Sequence, residues 1–171
     1  MRNLSKVLCG SLLLATFSFS ASGQDILLKM KGIQLLRSTR ADVERIFGNP
    51  KIKYLYGKPL PTHVEYEIKN GILTAYYSPG VCSESKNATY NVAAGVVTGL
   101  ELQFRREVDL KKRKLDLSTF KKEEIYDIPG NFEYRNLEKG EYYGIYERGG
   151  DRRLKKIILS PSQTYSSIEC P

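Results

Sequence analysis

The residues that could carry chemistry in this chain are few, and they do not assemble into a familiar set. His63 is its single histidine. A general base needs a nucleophile within reach and a group to orient it, yet no serine sits in a G-x-S-x-G elbow. His63 follows Leu60-Pro61-Thr62 at the expected start of a strand and reads as a structural or exposed side chain. Glu65, Glu67, Glu101, Glu123 and Glu124 offer carboxylates, and a glycosidase pair would hold two of them about 5 to 9 Å apart. Glu65 and Glu67 instead alternate with apolar residues, as the wet side of a surface strand does. One histidine and two oxidised cysteines fall short of a zinc ligand set. The residues therefore give no catalytic, metal or cofactor set; the reading is a non-enzymatic protein, with a hydrolase disfavoured.

Binding chemistry is better represented. Arg105-Arg106, the KKRK run at 111–114, Lys121-Lys122, Arg152-Arg153 and Lys155-Lys156 would form one positive surface if the last strands met the middle loop. Tyr134, Tyr142, Tyr143 and Tyr146 lie close by, and aromatic rings beside Arg152 and Arg153 suit stacking on sugars or bases. No RNP, KH or helix-turn-helix pattern accompanies them, which argues against nucleic acid. Lysines that keep an exposed strand from pairing with another sheet are the alternative explanation.

Residues 1–22 stand apart from all this. Arg2 and Lys6 precede an apolar run from 7 to 19, and Ser20-Ala21-Ser22-Gly23 supplies small side chains; this is the pattern of a cleavable signal peptide. The run is shorter than the roughly 20 residues a membrane span needs, and Cys9 stands near its start, where a lipoprotein cysteine would not be. The remainder, 23–171, has the length of one domain. Its formal charge is +8 for the full chain and +6 without Arg2 and Lys6, which favours anionic partners such as glycans or lipid headgroups.

Export also decides the cysteines. With Cys9 in the leader, Cys82 and Cys170 remain in an oxidising compartment and are expected to form a disulfide. Closing a loop of roughly 90 residues is worth about 4.5 kcal/mol in the chain-entropy description and ties down the C-terminal end. Asn87-Ala88-Thr89 matches the glycosylation acceptor and reads as a surface loop.

The elements that position these residues follow from periodicity. In LLRSTRADVERIFGNP, Thr39 or Ser38 can cap a helix and Asp42 favours its positive end. Val43, Ile46 and Phe47 then share one face, and Gly48, Asn49 and Pro50 stop it. A helix this short must be pinned to something. HVEYEIKNGILTAYYS alternates on both sides of Asn70-Gly71, which predicts a hairpin with a type I′ turn. Further strands are predicted in VVTGLELQF, in FEYRN near 132, in EYYGIYE and RLKKIILS across Gly149-Gly150, and in IKYLYG near 52. The charged stretch KKRKLDLSTFKKEEIYDIPGN holds Leu115, Leu117, Phe120 and Ile125, which predicts a strand or helical turn against the core. Ser38-Thr39 is echoed by Ser118-Thr119, and Tyr77-Ser78-Pro79 by Leu159-Ser160-Pro161; either two divergent copies of a helix-plus-hairpin unit or coincidence among common residues explains this.

Ser38-Thr39-Arg40, Asp42-Val43, Phe47-Gly48 and Pro50 together resemble the opening helix motif of the SmpA/OmlA (BamE)-like outer-membrane proteins. That resemblance implies short helices packed on a small antiparallel sheet. Arg37 stands where those proteins usually have glycine, and their lipobox cysteine is missing. Over its length the chain is similar to an uncharacterised family of secreted bacterial proteins built on S-T-R-x-D-V with G-x-P (38–43, 48–50), Y-S-x-G-x-C (77–82) and a terminal Cys170-Pro171. The resemblance implies a fold and a compartment.

The sequence thus predicts an α+β domain, secreted or periplasmic, with an antiparallel sheet packed against one or two short helices. Its expected role is a binding or scaffolding module that meets an envelope or secreted protein through its sheet face. Inhibition of a secreted enzyme and binding of anionic glycan or lipid are the alternatives, and no transmembrane segment is expected in the mature chain.

Overall fold

The computed structural model describes residues 23–50, 52–53, 62–83, 88–113, 115–125, 128–162 and 168–170. The leader read over 1–22, Asn87 of the glycosylation acceptor, Lys114 of the basic run and Tyr54 to Gly57 of the IKYLYG segment lie outside them.

Among the described residues two helices, α1 (Gly23–Lys31) and α2 (Arg40–Phe47), precede strands β1 (Ile52–Lys53), β2 (His63–Ile68), β3 (Gly71–Tyr77) and β4 (Val97–Asp109). After a single 3-10 turn at Leu110–Lys112 come β5 (Lys121–Glu124), β6 (Asn131–Asn136), β7 (Glu141–Arg148) and β8 (Asp151–Leu159). All eight strands join one antiparallel sheet in the order β1-β2-β3-β4-β8-β7-β6-β5. The architecture is mixed α+β and the sheet dominates. Its spatial order reads outward from the β4/β8 pair, with the first four strands on one side and the last four on the other.

One face of the sheet is covered. Val64, Tyr66, Leu73, Ala75, Leu100, Leu102, Tyr143, Ile145, Leu154 and Ile157 point the same way and join a single buried cluster with Met30, Ile33 and Val43 from the helical region. Ile26, Leu27, Ile46 and Phe47 pack on this cluster from the helices, and Leu115, Leu117 and Phe120 pack on it from the segment before β5. Burial of these side chains, at about 1.5 to 3 kcal/mol each, supplies the main driving force. The middle segment is thus laid against the core as its apolar residues require.

The start of α2 is as expected and two other local details depart from expectation. At α2 Thr39 is the N-cap and forms a capping box with Asp42, whose carboxylate accepts from the Thr39 N–H at 2.8 Å and the Thr39 hydroxyl at 3.0 Å. These bonds, with Arg45 beside them, hold Asp42 below its ordinary range.

In the β2-β3 hairpin, Ile68 pairs with Gly71, so the loop is Lys69-Asn70 and not Asn70-Gly71. Neither loop residue has positive φ, so the turn is not type I′. Gly71 is required for a different reason: a Cβ there would collide with the Gln103 carbonyl of the neighbouring strand. α1 is the other departure, since the sequence predicts no helix over residues 23–31. Its apolar residues Ile26, Leu27 and Met30 follow only a short polar stretch after the leader, too few to mark a helix by periodicity.

Candidate functional site

The strand alternation divides the four tyrosines between the faces. In the β6-β7 register Tyr134 lies opposite Tyr143, and Arg135 opposite Tyr142. Tyr134 and Tyr143 fall on the covered face, where they are only 7% and 2% exposed. Tyr143 packs against the Phe120 ring at 5.2 Å and donates its hydroxyl to Glu141 at 2.8 Å; burial pushes its phenol well above the usual range. These two are core residues and do not form a contact surface, because a period of two sends every second side chain inward. Tyr142 and Tyr146 occupy the opposite, helix-free face and are half-buried. Ile72 and Tyr76, each 39% exposed, share that open face on β3.

Around these rings the open face is a mosaic of cross-strand ion pairs. Arg105 of β4 pairs with Glu67 of β2. Lys155 reaches Glu107 at 3.4 Å and carries its ammonium 4.9 Å over the Tyr146 ring. The Lys156 stem crosses the bare backbone of Gly144, in the space a Cβ would fill, and its ammonium stands 3.8 Å from Glu133. Arg135 bonds Glu133 at 2.7 Å and contacts Glu123 at 3.1 Å, while Lys121 meets Glu123 at 2.9 Å. Each exposed pair contributes little to stability. Together they offset much of the positive charge on this face, and of the basic clusters Arg105, Arg106, Arg113 and Arg153 line one cleft with Lys69.

Arg152 and Arg153 separate in the same way. Arg153 approaches Asp151 at 3.7 Å. Arg152 turns to the covered face, where its Nε donates to Glu147 at 3.0 Å and its guanidinium lies 5.2 Å from the Tyr134 ring.

Glu147, absent from the sequence-derived candidates, is the hub of this end of the sheet. Its carboxylate accepts from the Tyr134 hydroxyl at 2.6 Å and the Lys122 ammonium at 2.6 Å as well as from Arg152. The Lys122 ammonium also sits 3.7 Å over the Phe132 ring. Burial pushes the Glu147 carboxyl up, but the bonds from Lys122 and Tyr134 and the adjacent cations outweigh it and hold the group below the usual carboxylate range. At the corresponding end of the first hairpin, the Tyr66 and Tyr77 hydroxyls are 2.9 Å apart and buried.

His63 lines a cleft of about 320 Å³ with Thr62, Tyr76, Ser78, Thr89 and Thr98. The Ser78 hydroxyl in that cleft is engaged with the Gly80 and Val92 carbonyls at 3.0 Å each, and the Tyr76 hydroxyl contacts Glu101 at 3.4 Å. Beyond the cleft, Cys82 and Cys170 form a disulfide with a Cα separation of 5.5 Å. The bridge is braced by strand-like bonds from Cys170 N–H to Thr89 and from Asn91 N–H to Ile168. Among the described residues no group of three His, Cys, Asp or Glu side chains is placed to hold a metal ion, and no helix is long and apolar enough to cross a membrane.

Comparison of the chain with protein-family models, curated proteins and solved structures returned no match.

Proposed function

We propose that this chain is a non-enzymatic binding or scaffolding module of the bacterial envelope or the secreted space, and that it meets a protein partner through the helix-free face of its sheet. The observation that carries this reading is the contrast between the two faces. Helices and the segment before β5 cover one side, while the other leaves Ile72, Tyr76, Tyr142 and Tyr146 at the surface.

Tyrosine offers a large, stiff contact area at low entropic cost, and rings ringed by charge resemble the anchors and polar rim of protein interfaces. The ion-paired mosaic would give such an interface register. Export by the leader and the Cys82 to Cys170 bridge agree with one another, since disulfides persist outside the cytoplasm. The similarity to secreted bacterial proteins and to the BamE-like helix motif belongs to the same reading.

The module consists, on this reading, of two divergent copies of a four-stranded unit, β1 to β4 and β5 to β8. Tyr66 lies opposite Leu73 and bonds the residue four places further along β3, Tyr77; Tyr134 lies opposite Tyr143 and bonds the residue four places further along β7, Glu147. The Tyr77 N–H donates to the Thr62 carbonyl and the Glu147 N–H to the Gly130 carbonyl, at 2.8 Å in both cases. The copies have diverged most in their cover, helices in the first and a 3-10 turn with an extended segment in the second.

Photo-crosslinking in native envelopes tests the role. A photoreactive residue at Tyr76, Tyr142 or Tyr146 is expected to yield one discrete protein adduct, and the same probe at Leu28 on α1 none. Equal labelling from both sides, or adducts to glycan or lipid alone, would overturn the proposal.

A further inference from the structure

Although Arg105 and Arg153 each have a carboxylate partner, in Glu67 and Asp151, several basic residues converge at one place. A cleft of about 500 Å³ is lined by Lys69, Arg105, Arg106, Arg113 and Arg153, with Glu107 and Asp109 as its carboxylates. Both carboxylates are already engaged: Glu107 with Lys155 at 3.4 Å, and Asp109 as acceptor from the Lys111 backbone N–H at 2.9 Å. Arg113 has the opposite problem. Its Nε is buried with no hydrogen-bond partner, and burial alone depresses its affinity for a proton.

The cleft is built by an irregularity of the sheet. Gln103 pairs with Lys156 and Val108 with Leu154, so β4 spends five residue steps where β8 spends two. The surplus carries Arg105 and Arg106 out of the ladder, as bulges beside binding sites commonly do. A bond from the Arg105 N–H to the Asn70 carbonyl at 3.0 Å fixes the surplus to the β2-β3 turn, and the 3-10 turn brings Arg113 round from below.

We infer that this cleft binds a phosphate monoester, free or as a headgroup, through Arg106 and Arg113 with Lys69 and Arg153 at its rim. Guanidinium groups present planar forks that match a tetrahedral oxyanion, and a buried guanidinium nitrogen without an acceptor is the group such an anion would satisfy. Among the described residues no aromatic ring lines the cleft, so they offer it no base stacking, the usual means of holding single-stranded nucleic acid.

The test uses the full mature protein and two probes: inorganic phosphate, followed by calorimetry, and phosphatidylcholine vesicles doped with phosphatidic acid, followed by co-sedimentation. Wild type is expected to bind at least one. Arg113→Met should weaken that binding about tenfold and Arg106→Gln about fivefold, as loss of a charge-assisted fork implies, while Arg45→Gln on α2 leaves it unchanged. Phosphate binding alone would assign a soluble ester, vesicle binding alone a headgroup, and competition between them one shared site; all three support the inference. Absence of binding to either probe overturns it, as does equal binding by wild type and Arg106→Gln, an exposed position whose substitution does not burden folding.

Discussion

The Tyr134 hydroxyl donates to the Glu147 carboxylate at 2.6 Å, at the place in its hairpin where Tyr66 meets Tyr77 in the other. The same geometry serves two chemistries. In the β2-β3 hairpin the pair is two buried phenols; in the β6-β7 hairpin a carboxylate meets the phenol and also accepts from Lys122 and Arg152.

Glu147→Gln should cost about 1 kcal/mol near neutral pH, because the lost bonds are charge-assisted but partly open to water. The folded carboxyl titrates below its unfolded value. Its stabilisation is therefore complete above the ordinary carboxylate pKa and disappears as the pH falls through the folded one. Urea unfolding at a series of pH values should show wild type and variant converging below about pH 4.

The two phenols of the first hairpin predict a cycle. Tyr66→Phe should destabilise by about 1 to 2 kcal/mol, since it takes the phenol partner from the buried Tyr77 hydroxyl, and Tyr77→Phe by less, since the Tyr66 hydroxyl keeps Arg40. The double variant should cost less than the sum of the singles, a non-additivity that equilibrium denaturation measures directly.

Replacing Cys82 and Cys170 by serine should lower stability by about 4 kcal/mol. Locally, the Asn91 amide, which donates to Ile168, should lose its protection from hydrogen exchange well before the core strands do.

Gly71→Ala separates the turn explanation of that glycine from the crowding explanation. A methyl group forced against the Gln103 carbonyl should cost about 2 to 3 kcal/mol. Gly149→Ala, with positive φ and open space around it, should cost only about 1 kcal/mol. Comparable losses at the two sites in thermal unfolding would refute the crowding account.

Much of this architecture is legible from residue order. α2, the β2-β3 hairpin and the strands from β6 to β8 announce themselves through alternation and glycine-rich turns, because local sequence and the sheet demand the same thing there. The two places of the Ser-Thr echo lead into different elements: Thr39 precedes a helix and Ser118-Thr119 leads into β5.

Which tyrosines face the solvent was also legible in principle, since Tyr142 and Tyr143 are adjacent and must oppose one another. The ion pairing that offsets much of the basic charge was not. It depends on register across strands that are distant in sequence, as with Glu67 and Arg105, and so does the role of Glu147.

The central claim is that the helix-free face is the surface at which this protein meets its partner. Hydroxyl-radical footprinting, comparing the purified protein with the protein in its native envelope, addresses it directly. Tyr76, Tyr142 and Tyr146 should be oxidised in the pure protein and protected in the envelope, with Leu28 equally reactive in both. Unchanged oxidation of the three tyrosines, or protection centred on Leu28, would contradict the account.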